Sequence, residues 1–439
     1  RPLSADTTAL TGIENGEALT GEKPNLALER LRVFVAGDPL VGHNGLAYDF
    51  VVLDAAAERF GCTTLDNERL DSLDLAHLAF PRAGHGIIAD GDGAAAPEGR
   101  SLDQLAAHLG FRTHDRHRAL ADAELTAALV VRLLEIINAE TPSRILQRWI
   151  LHRGQHPWAR HLALAPERPD LIEVVTPSVR WSRRAASGTF DPVDAASALG
   201  ERGVLVGTER QFRPSQAEMA SKTATAFAAR QRILIEAPTG TGKTLAYLTP
   251  AIAWARASGI PVVIATHSKV LQDQILSTIP TIAKAMGDSR AVLLKGRDNY
   301  IDLDALDDAL DAPSVDADEA LALATIAQWI AVTPTGDWDD LRTWAIERPG
   351  HHFSRLRWRL RLEDFHEQPP SLVSERCFYR RALSAAGLAD VVVMNHALLI
   401  ARSDWLRPGE TCLAVDEAHT LEESATGALT EEVTATTLD

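Results

Sequence analysis

The alternation of apolar and polar positions divides the chain into two mixed α/β stretches separated by a proline-rich interval. In the first stretch, short apolar runs at Leu40 to Gly42 and Leu70 to Leu75 predict strands. Ser101 with Gln104 three residues later makes a capping box, and Leu102, Leu105 and Leu109 then recur at helical spacing, so a helix starts there. A second helix runs through Leu120, Leu125, Leu129 and Leu133 and ends near Thr141-Pro142. Arg82 to Arg100, rich in Gly and Ala without periodicity, predicts a mobile loop. The interval from 142 to 200 carries Pro142, Pro157, Pro166, Pro169, Pro177 and Pro192 among Trp149, Trp158 and Trp181. Prolines break long helices, so this is expected to be a connector that packs partly through its tryptophans.

The second stretch opens near Gly203. Arg232 to Glu236 is a short β run feeding a glycine-rich loop and a helix, and Pro261 to Ala265, Asp390 to Met394 and Cys412 to Val415 are further buried-strand candidates. Strands alternating with helices predict a parallel sheet. Residues 302–388 interrupt the rhythm with an acidic helical stretch, Asp302 to Trp329, and then a basic one, and are expected to be an insertion.

Composition narrows the classes. With 439 residues, 46% of them hydrophobic, the chain can bury more than one core. It has no apolar run long enough to span a bilayer, and Arg1 to Asp6 is not the charged prelude to a signal segment, so no membrane association and a cytoplasmic location are expected. Cys62, Cys377 and Cys412 are too few for a disulfide framework or a four-thiolate metal centre within the chain. The net charge of −16 repels a polyanion at long range, so any nucleic-acid binding falls to local basic patches and metal ions.

Two constellations carry chemistry in the second stretch. Ala237-Pro238-Thr239-Gly240-Thr241-Gly242-Lys243-Thr244 stands between a β run and a helix, the context a P-loop needs. There, backbone N–H groups face phosphates, Lys243 reaches the β/γ oxygens and Thr244 holds Mg²⁺. The strict pattern has Gly where Ala237 stands, and a glycine-rich turn that binds nothing is the bland alternative. Downstream, the apolar run Leu413-Ala414-Val415 delivers Asp416 to the metal and leaves Glu417 beside the γ-phosphate, where a carboxylate can orient and deprotonate water. An isolated Asp-Glu is usually a solvated turn; the P-loop upstream makes it specific.

With these motifs the second stretch resembles the superfamily 2 helicases, and among them the DinG/XPD-like group, where Ala commonly opens the P-loop. Phe212-Arg213-Pro214-Ser215-Gln216 with Met219 is similar to that group's adenine-reading segment, which implies that Arg213 and Gln216 lie near the base. Thr266, Leu271, Gln272 and Gln274 match the motif that touches the DNA backbone, and Asp390 to Leu399 is closer still to the group's pattern. For Asn395 and His396 individually, a functional role and a satisfied polar pair at a strand end both stay open. Many members carry an iron–sulfur cluster in the insertion. Here Lys295 to Asp302 resembles its entry, but Asp302 stands where the first Cys would be and only Cys377 lies near the exit, so no cluster is expected. Cys377 reads as a small buried hydrophobe. Arg355 to Arg361 alternates charge and bulk; phosphate contacts with Trp358 stacked on a base, and a solvated element paired with Glu363 and Asp364, both stay open.

In the first stretch, Leu40 to Phe50 places Asp49 just beyond a strand, and His117 opens a helix with Asp122 five residues on. Two carboxylates and an imidazole suit two-metal phosphodiester hydrolysis, although each piece alone is more often a cap or a structural histidine. Together they resemble the DEDD exonucleases of the His subtype. The resemblance implies that Asp49 and Asp122 are metal ligands, His117 the general base, and Asn44 close to the substrate strand. The family's opening Asp-x-Glu is not in the sequence, and is expected upstream of Arg1.

The expected architecture is therefore α/β. An RNase H-like exonuclease domain (1–140, truncated at its start) leads through a connector (141–202) to a RecA-like P-loop domain (203–439) with an inserted helical subdomain at about 302–388, the second RecA-like domain being absent. The implied ligands are ATP with Mg²⁺, or Mn²⁺ at the nuclease site, and the implied partner is DNA, single-stranded or tailed, with 3′ ends. Rival readings are a nucleotide-gated DNA-binding module that regulates the nuclease without unwinding, and a P-loop kinase of small molecules, in which the Asp416-Glu417 and DNA-contact motifs have no role.

Overall fold

A computed structural model describes residues 3–82, 97–112, 117–140, 157–162, 185–200, 203–205, 211–312, 317–330, 332–341, 353–362, 377–402 and 410–430. The chain groups into two compact units, one of residues 1–177 with 300–364 and the other of 178–299 with 365–439.

The first unit opens with α1 (Ala5–Thr11), capped by the Ser4 side chain, followed by α2 (Asn15–Thr20) and α3 (Pro24–Val35). Strand β1 (Leu40–Gly42) leads to α4 (Asp49–Phe60) and pairs in parallel with β2 (Arg69–Asp71), Gly42 opposite Asp71. The strand expected over Leu70 to Leu75 stops at Asp71. That carboxylate accepts the N–H of Leu73 and caps α5 (Ser72–Ala79), a helix that buries Leu75, Ala76 and Leu78. Helix α6 (Leu102–His108) starts at Ser101 with both halves of its capping box formed, and α7 (Ala119–Glu140) packs Leu129, Leu133 and Ile137 into the same core as α5. A tight turn at Pro157–His161 adds Trp158 and Leu162, so this core draws on residues beyond 140. Most of the loop expected over Arg82 to Arg100, and of the connector with Trp149 and Trp181, lies outside the described residues.

The second unit contributes α8 (Pro192–Ser197), α9 (Pro214–Ala229), α10 (Lys243–Ser258), β3 (Val262–Thr266), α11 (Lys269–Met286) and β4 (Ala291–Leu293). The chain then enters the first unit for α12 (Leu303–Asp311), α13 (Ala317–Ile330) and α14 (Phe353–Arg359). Helix α13 inserts Ala320, Leu321, Ala324 and Ala327 among Leu70, Leu75, Leu129 and Leu133. The helices expected as a subdomain of the P-loop half thus complete the core of the first unit: a small-residue face lets α13 approach α5 closely. Arginines of the basic stretch are held by acids within this unit, Arg359 at 3.1 Å and Arg355 at 3.7 Å from the buried Glu319, and Arg357 at 3.6 Å from Asp339. Arg361 lies over the exposed ring of Trp358. The partners found are Glu319 and Asp339, whereas Glu363 and Asp364, the partners expected in the ion-paired reading, lie outside the described residues.

Back in the second unit come α15 (Phe378–Ala386), which packs on β4, then β5 (Val391–Asn395), α16 (His396–Ala401), β6 (Cys412–Val415) and α17 (Leu421–Leu429). Among the described residues the sheet is parallel throughout, in the order β4-β5-β3-β6. Every residue of β3 is buried, as expected of a strand covered on both faces. The expected strand Arg232 to Glu236 is corrected: that segment pairs with no described strand, and Leu234 is 89% exposed. An apolar run becomes a strand only where a neighbouring edge takes its hydrogen bonds. Strand β4 escaped the sequence reading because it is three residues long and only half-buried. No described helix is long and apolar enough to cross a membrane.

The shared core makes a prediction. Ala327→Asp places an unpaired carboxylate where the native residue is fully buried, which costs on the order of 3 kcal/mol. Calorimetry should show the melting transition of the first unit lowered by several degrees; an unaltered thermogram would place α13 outside that core.

Candidate functional site

The glycine turn of the second unit has Gly240 at φ +80° and Gly242 at φ +83°, a region that side-chain-bearing residues rarely adopt. Gly242 caps α10, so Lys243 and Thr244 form its first turn, where free backbone N–H groups attract anions. Two side chains hold the turn from behind. Gln216 of α9 donates its amide to the Gly242 carbonyl at 2.9 Å, and Arg213 donates to the Gly240 carbonyl. Arg213 and Gln216, expected near a base, thus bind the P-loop backbone. Pro238 and Thr239 are exposed, and Thr241 is buried with its hydroxyl donating to the Pro238 carbonyl at 2.7 Å.

Strand β6 brings the acidic pair to the same place. The Asp416 N–H continues the ladder to the Ala265 carbonyl at 2.8 Å, and Glu417 sits at φ +53°. Lys243 Nζ lies 3.0 Å from Glu417 Oε1. Tyr247, one turn beyond Lys243, donates its hydroxyl to Asp416 Oδ2 at 3.1 Å and is hydrogen-bonded in turn by Thr244. Burial pushes the Asp416 carboxyl above its ordinary value, opposed by the Tyr247 hydroxyl and reinforced by the Glu417 charge. Burial, then the Asp416 charge, pushes the Tyr247 hydroxyl up as well, so it stays a donor. The sequence reading missed Tyr247; its position four residues after Lys243, on the same helix face, was the available signal.

Around this centre, Asn395 caps α16 by accepting the Leu398 N–H at 2.8 Å. His396 is buried, with Nε2 at 2.9 Å from the Asp416 carbonyl and Nδ1 at 3.3 Å from the Thr420 hydroxyl. Both therefore have partners at a strand end, and His396 ties β5 to the Asp416 turn. Thr266 and Gln272, expected against a DNA backbone, are buried, and only Gln274 is exposed. Gln272 shares the inward face of α11 with Ile275, Ile279 and Ile282, so neither its side chain nor that of Thr266 is presented to a ligand in this arrangement.

In the first unit, the turn between β1 and α4 carries Asn44 at φ +60° and ends with Asp49 at the first position of α4. Asp49 is exposed, and Gly42 is required by the backbone of the turn, since a side chain there would begin 2.9 Å from the Gly45 Cα. His117, at φ +65°, is exposed just before α7, and Asp122 lies half-buried in the first turn of that helix, which packs against β1. Among the described residues, no group of three or more His, Cys, Asp or Glu side chains is gathered as for a metal cage. A hard cation such as Mg²⁺ is commonly held by one or two carboxylates together with water and substrate phosphate, which needs no such cage.

Comparison with known proteins agrees with this layout. Residues 1–130 match the exonuclease family model (RNase T), and residues 213–336 match the DEAD/DEAH box helicase model. The chain is 28% identical over 453 residues to the 3′-5′ exonuclease DinG of Bacillus subtilis, covering 97% of this chain and 45% of that protein. It is 34% identical over 268 residues to the ATP-dependent helicase DinG of Mycobacterium tuberculosis H37Rv (56% of this chain, 38% of that protein). It is 33% identical over 230 residues to the ATP-dependent DNA helicase YoaA of Escherichia coli K12 (48% and 34%). The chain thus spans less than half the length of these relatives.

The glycine turn yields a direct test. A methyl group on Gly242 would overlap the Gln216 amide and force a side chain into a left-handed conformation. Gly242→Ala is expected to weaken binding of a fluorescent ATP analogue by about tenfold, the effect of 1 to 2 kcal/mol of strain. An unchanged affinity would contradict the role of this turn.

Proposed function

Because the chain carries an exonuclease domain followed by a DEAD/DEAH box helicase domain, we propose that its protein removes nucleotides from DNA 3′ ends and hydrolyses ATP in response to DNA. The observation that carries the ATP half is the approach of Lys243 to Glu417, with Asp416 bound to Tyr247 beside them. In this reading Lys243 exchanges Glu417 for the β- and γ-phosphates, and Thr244 and Asp416 hold the magnesium ion that accompanies the nucleotide. Glu417, released from Lys243, accepts the proton of the attacking water. Magnesium supplies charge neutralisation of the phosphates when bound. Arg213 and Gln216 fix the loop, and the base reads against their outer side. DNA contact falls to Gln274 and the exposed face at the start of α11.

In the nuclease half, Asp49 and Asp122 hold Mg²⁺ or Mn²⁺, His117 takes the proton from the attacking water, and Asn44 orients the strand. The substrate is a single-stranded or tailed 3′ end, and the setting is cytoplasmic DNA repair. The relatives' names, exonuclease for one and helicase for others, support the pairing of activities. We further propose that ATP hydrolysis proceeds without an iron–sulfur cluster, since three cysteines cannot furnish four thiolates.

Three outcomes are expected of the protein. In Mn²⁺ a 3′-labelled single strand should shorten, and Asp122→Ala should slow this by at least about a hundredfold; cleavage persisting in that variant would remove Asp122 from the site. Lys243→Ala should abolish DNA-stimulated phosphate release, and turnover at the parent rate would refute the P-loop assignment. Iron analysis of aerobically and anaerobically purified protein should find none at stoichiometric level, with stoichiometric iron and sulfide the contrary result.

A further inference from the structure

The turn that carries Asn44 and leads to Asp49 is held by a buried side chain outside the motifs described above. Asp71, at the end of β2, is 0% exposed. Its Oδ1 accepts the N–H of Asn44 at 2.8 Å and that of Leu73 at 2.9 Å, and its Oδ2 accepts the N–H of Leu46 at 3.1 Å. Its own carbonyl accepts the indole N–H of Trp158 at 2.7 Å. A carboxylate this deeply buried is stable only with several charge-assisted hydrogen bonds. Two of these amides belong to the turn between β1 and α4. One of them is on Asn44, whose positive φ a residue other than glycine keeps only when its surroundings impose it.

The next residue extends the frame. The Ser72 hydroxyl lies 2.9 Å from His43 Nδ1, and His43 Nε2 lies 2.9 Å from the Arg100 carbonyl. The Arg100 guanidinium donates to the carbonyls of Phe80 and Pro81, each at 2.7 Å. His43 is thus pinned on both ring nitrogens immediately before Asn44. The backbone from His43 to Leu46 is therefore fixed by groups of β2, α5 and the segment at Arg100.

We infer that Asp71, with Ser72 and His43, is the positioning frame of the nuclease site, setting the backbone from Asn44 to Leu46 and through it the Asn44 amide and the Asp49 carboxylate. This rests on the exonuclease reading given above. The frame acts through Asn44 and Asp49, so its loss changes metal and substrate handling before it changes the fold.

Asp71→Asn separates the two duties of the side chain. The amide oxygen still accepts from Leu73 and Asn44 and so keeps the cap of α5, whereas the amide NH₂ faces the Leu46 N–H as donor against donor. Hydrogen exchange at Asn44 and Leu46 should accelerate, with the melting temperature and Trp158 fluorescence near those of the parent. The Mn²⁺ concentration for half-maximal cleavage of a 3′-labelled strand should rise about tenfold or more, in the range seen for groups that support metal ligands. Parent exchange rates and metal dependence in Asp71→Asn would overturn the inference. Should that variant melt early, Ser72→Ala decides: it keeps all three amide bonds and removes only the contact to His43 Nδ1. A smaller shift of metal dependence in the same direction supports the frame, and parent behaviour overturns it. If the parent protein cleaves and Asp122→Ala does not, an unaffected Asp71→Asn sinks the frame alone; a parent protein inert in Mn²⁺ sinks the exonuclease reading beneath it.

Discussion

The pairing of β3 with β5 on one edge and β6 on the other decides what the second unit can do. Thr266 stands opposite Asn395, and Ala265 opposite Val415, so the carboxyl ends of three parallel strands finish side by side. Ligands of open α/β sheets bind at such ends, where loops diverge and helix N-termini converge. Asp416 and His396 are consecutive with those ends, and the Asp416 N–H is itself bonded to Ala265. A one-residue slip of β6 would turn Asp416 away from Tyr247 and break the centre without altering the composition of the core.

The first unit depends on a different constraint, the covering of apolar helix faces. Helices α5 and α7 present leucines that two short strands cannot cover, and α13 supplies the missing surface from more than a hundred residues further along. Its alanines set a close approach, and Glu319 at its start is buried with two arginines of α14 beside it. A buried carboxylate with arginine partners is specific in a way an apolar contact is not, since losing one partner leaves a charge without compensation. The segment between the strands of the P-loop half thus serves as structure for the first unit.

How far the sequence could be read follows from the same physics. The apolar runs at Leu40 to Gly42, Pro261 to Ala265, Asp390 to Met394 and Cys412 to Val415 lie on strands because each has an edge to pair with. Arg232 to Glu236 has the same character and no partner among the described strands, which a run of residues cannot reveal. Leu70 to Leu75 was ambiguous because Asp71 can end a strand or cap a helix, and the N–H of Leu73 decides for the cap. The spacing of Gln272 with Ile275, Ile279 and Ile282 already marked it as inward-facing, a signal that the motif resemblance overrode. Asp71 belongs to no pattern that spacing alone discloses, since the turn it holds lies 25 to 27 residues away; Tyr247 shares a helix face with Lys243, but its partner Asp416 is 169 residues away.

The two turns handle backbone polarity in opposite ways, and the difference matches the ligands proposed for them. At the glycine turn, Arg213 and Gln216 are donors that occupy the carbonyls of Gly240 and Gly242, the Thr241 N–H turns back to the Pro238 carbonyl, and the first-turn N–H groups of α10 are the donors left for an anion. At the turn between β1 and α4, Asp71 is an acceptor that occupies the N–H groups of Asn44 and Leu46. Donors are withdrawn there, and the exposed Asp49 carboxylate is left as the charged group facing out, as a cation requires. A buried donor behind a loop therefore fits a phosphate site and a buried acceptor a metal site. On that argument Asp71 and Gln216 are alike in one respect: each occupies one half of the peptide groups of its loop and leaves the other half for an approaching ligand.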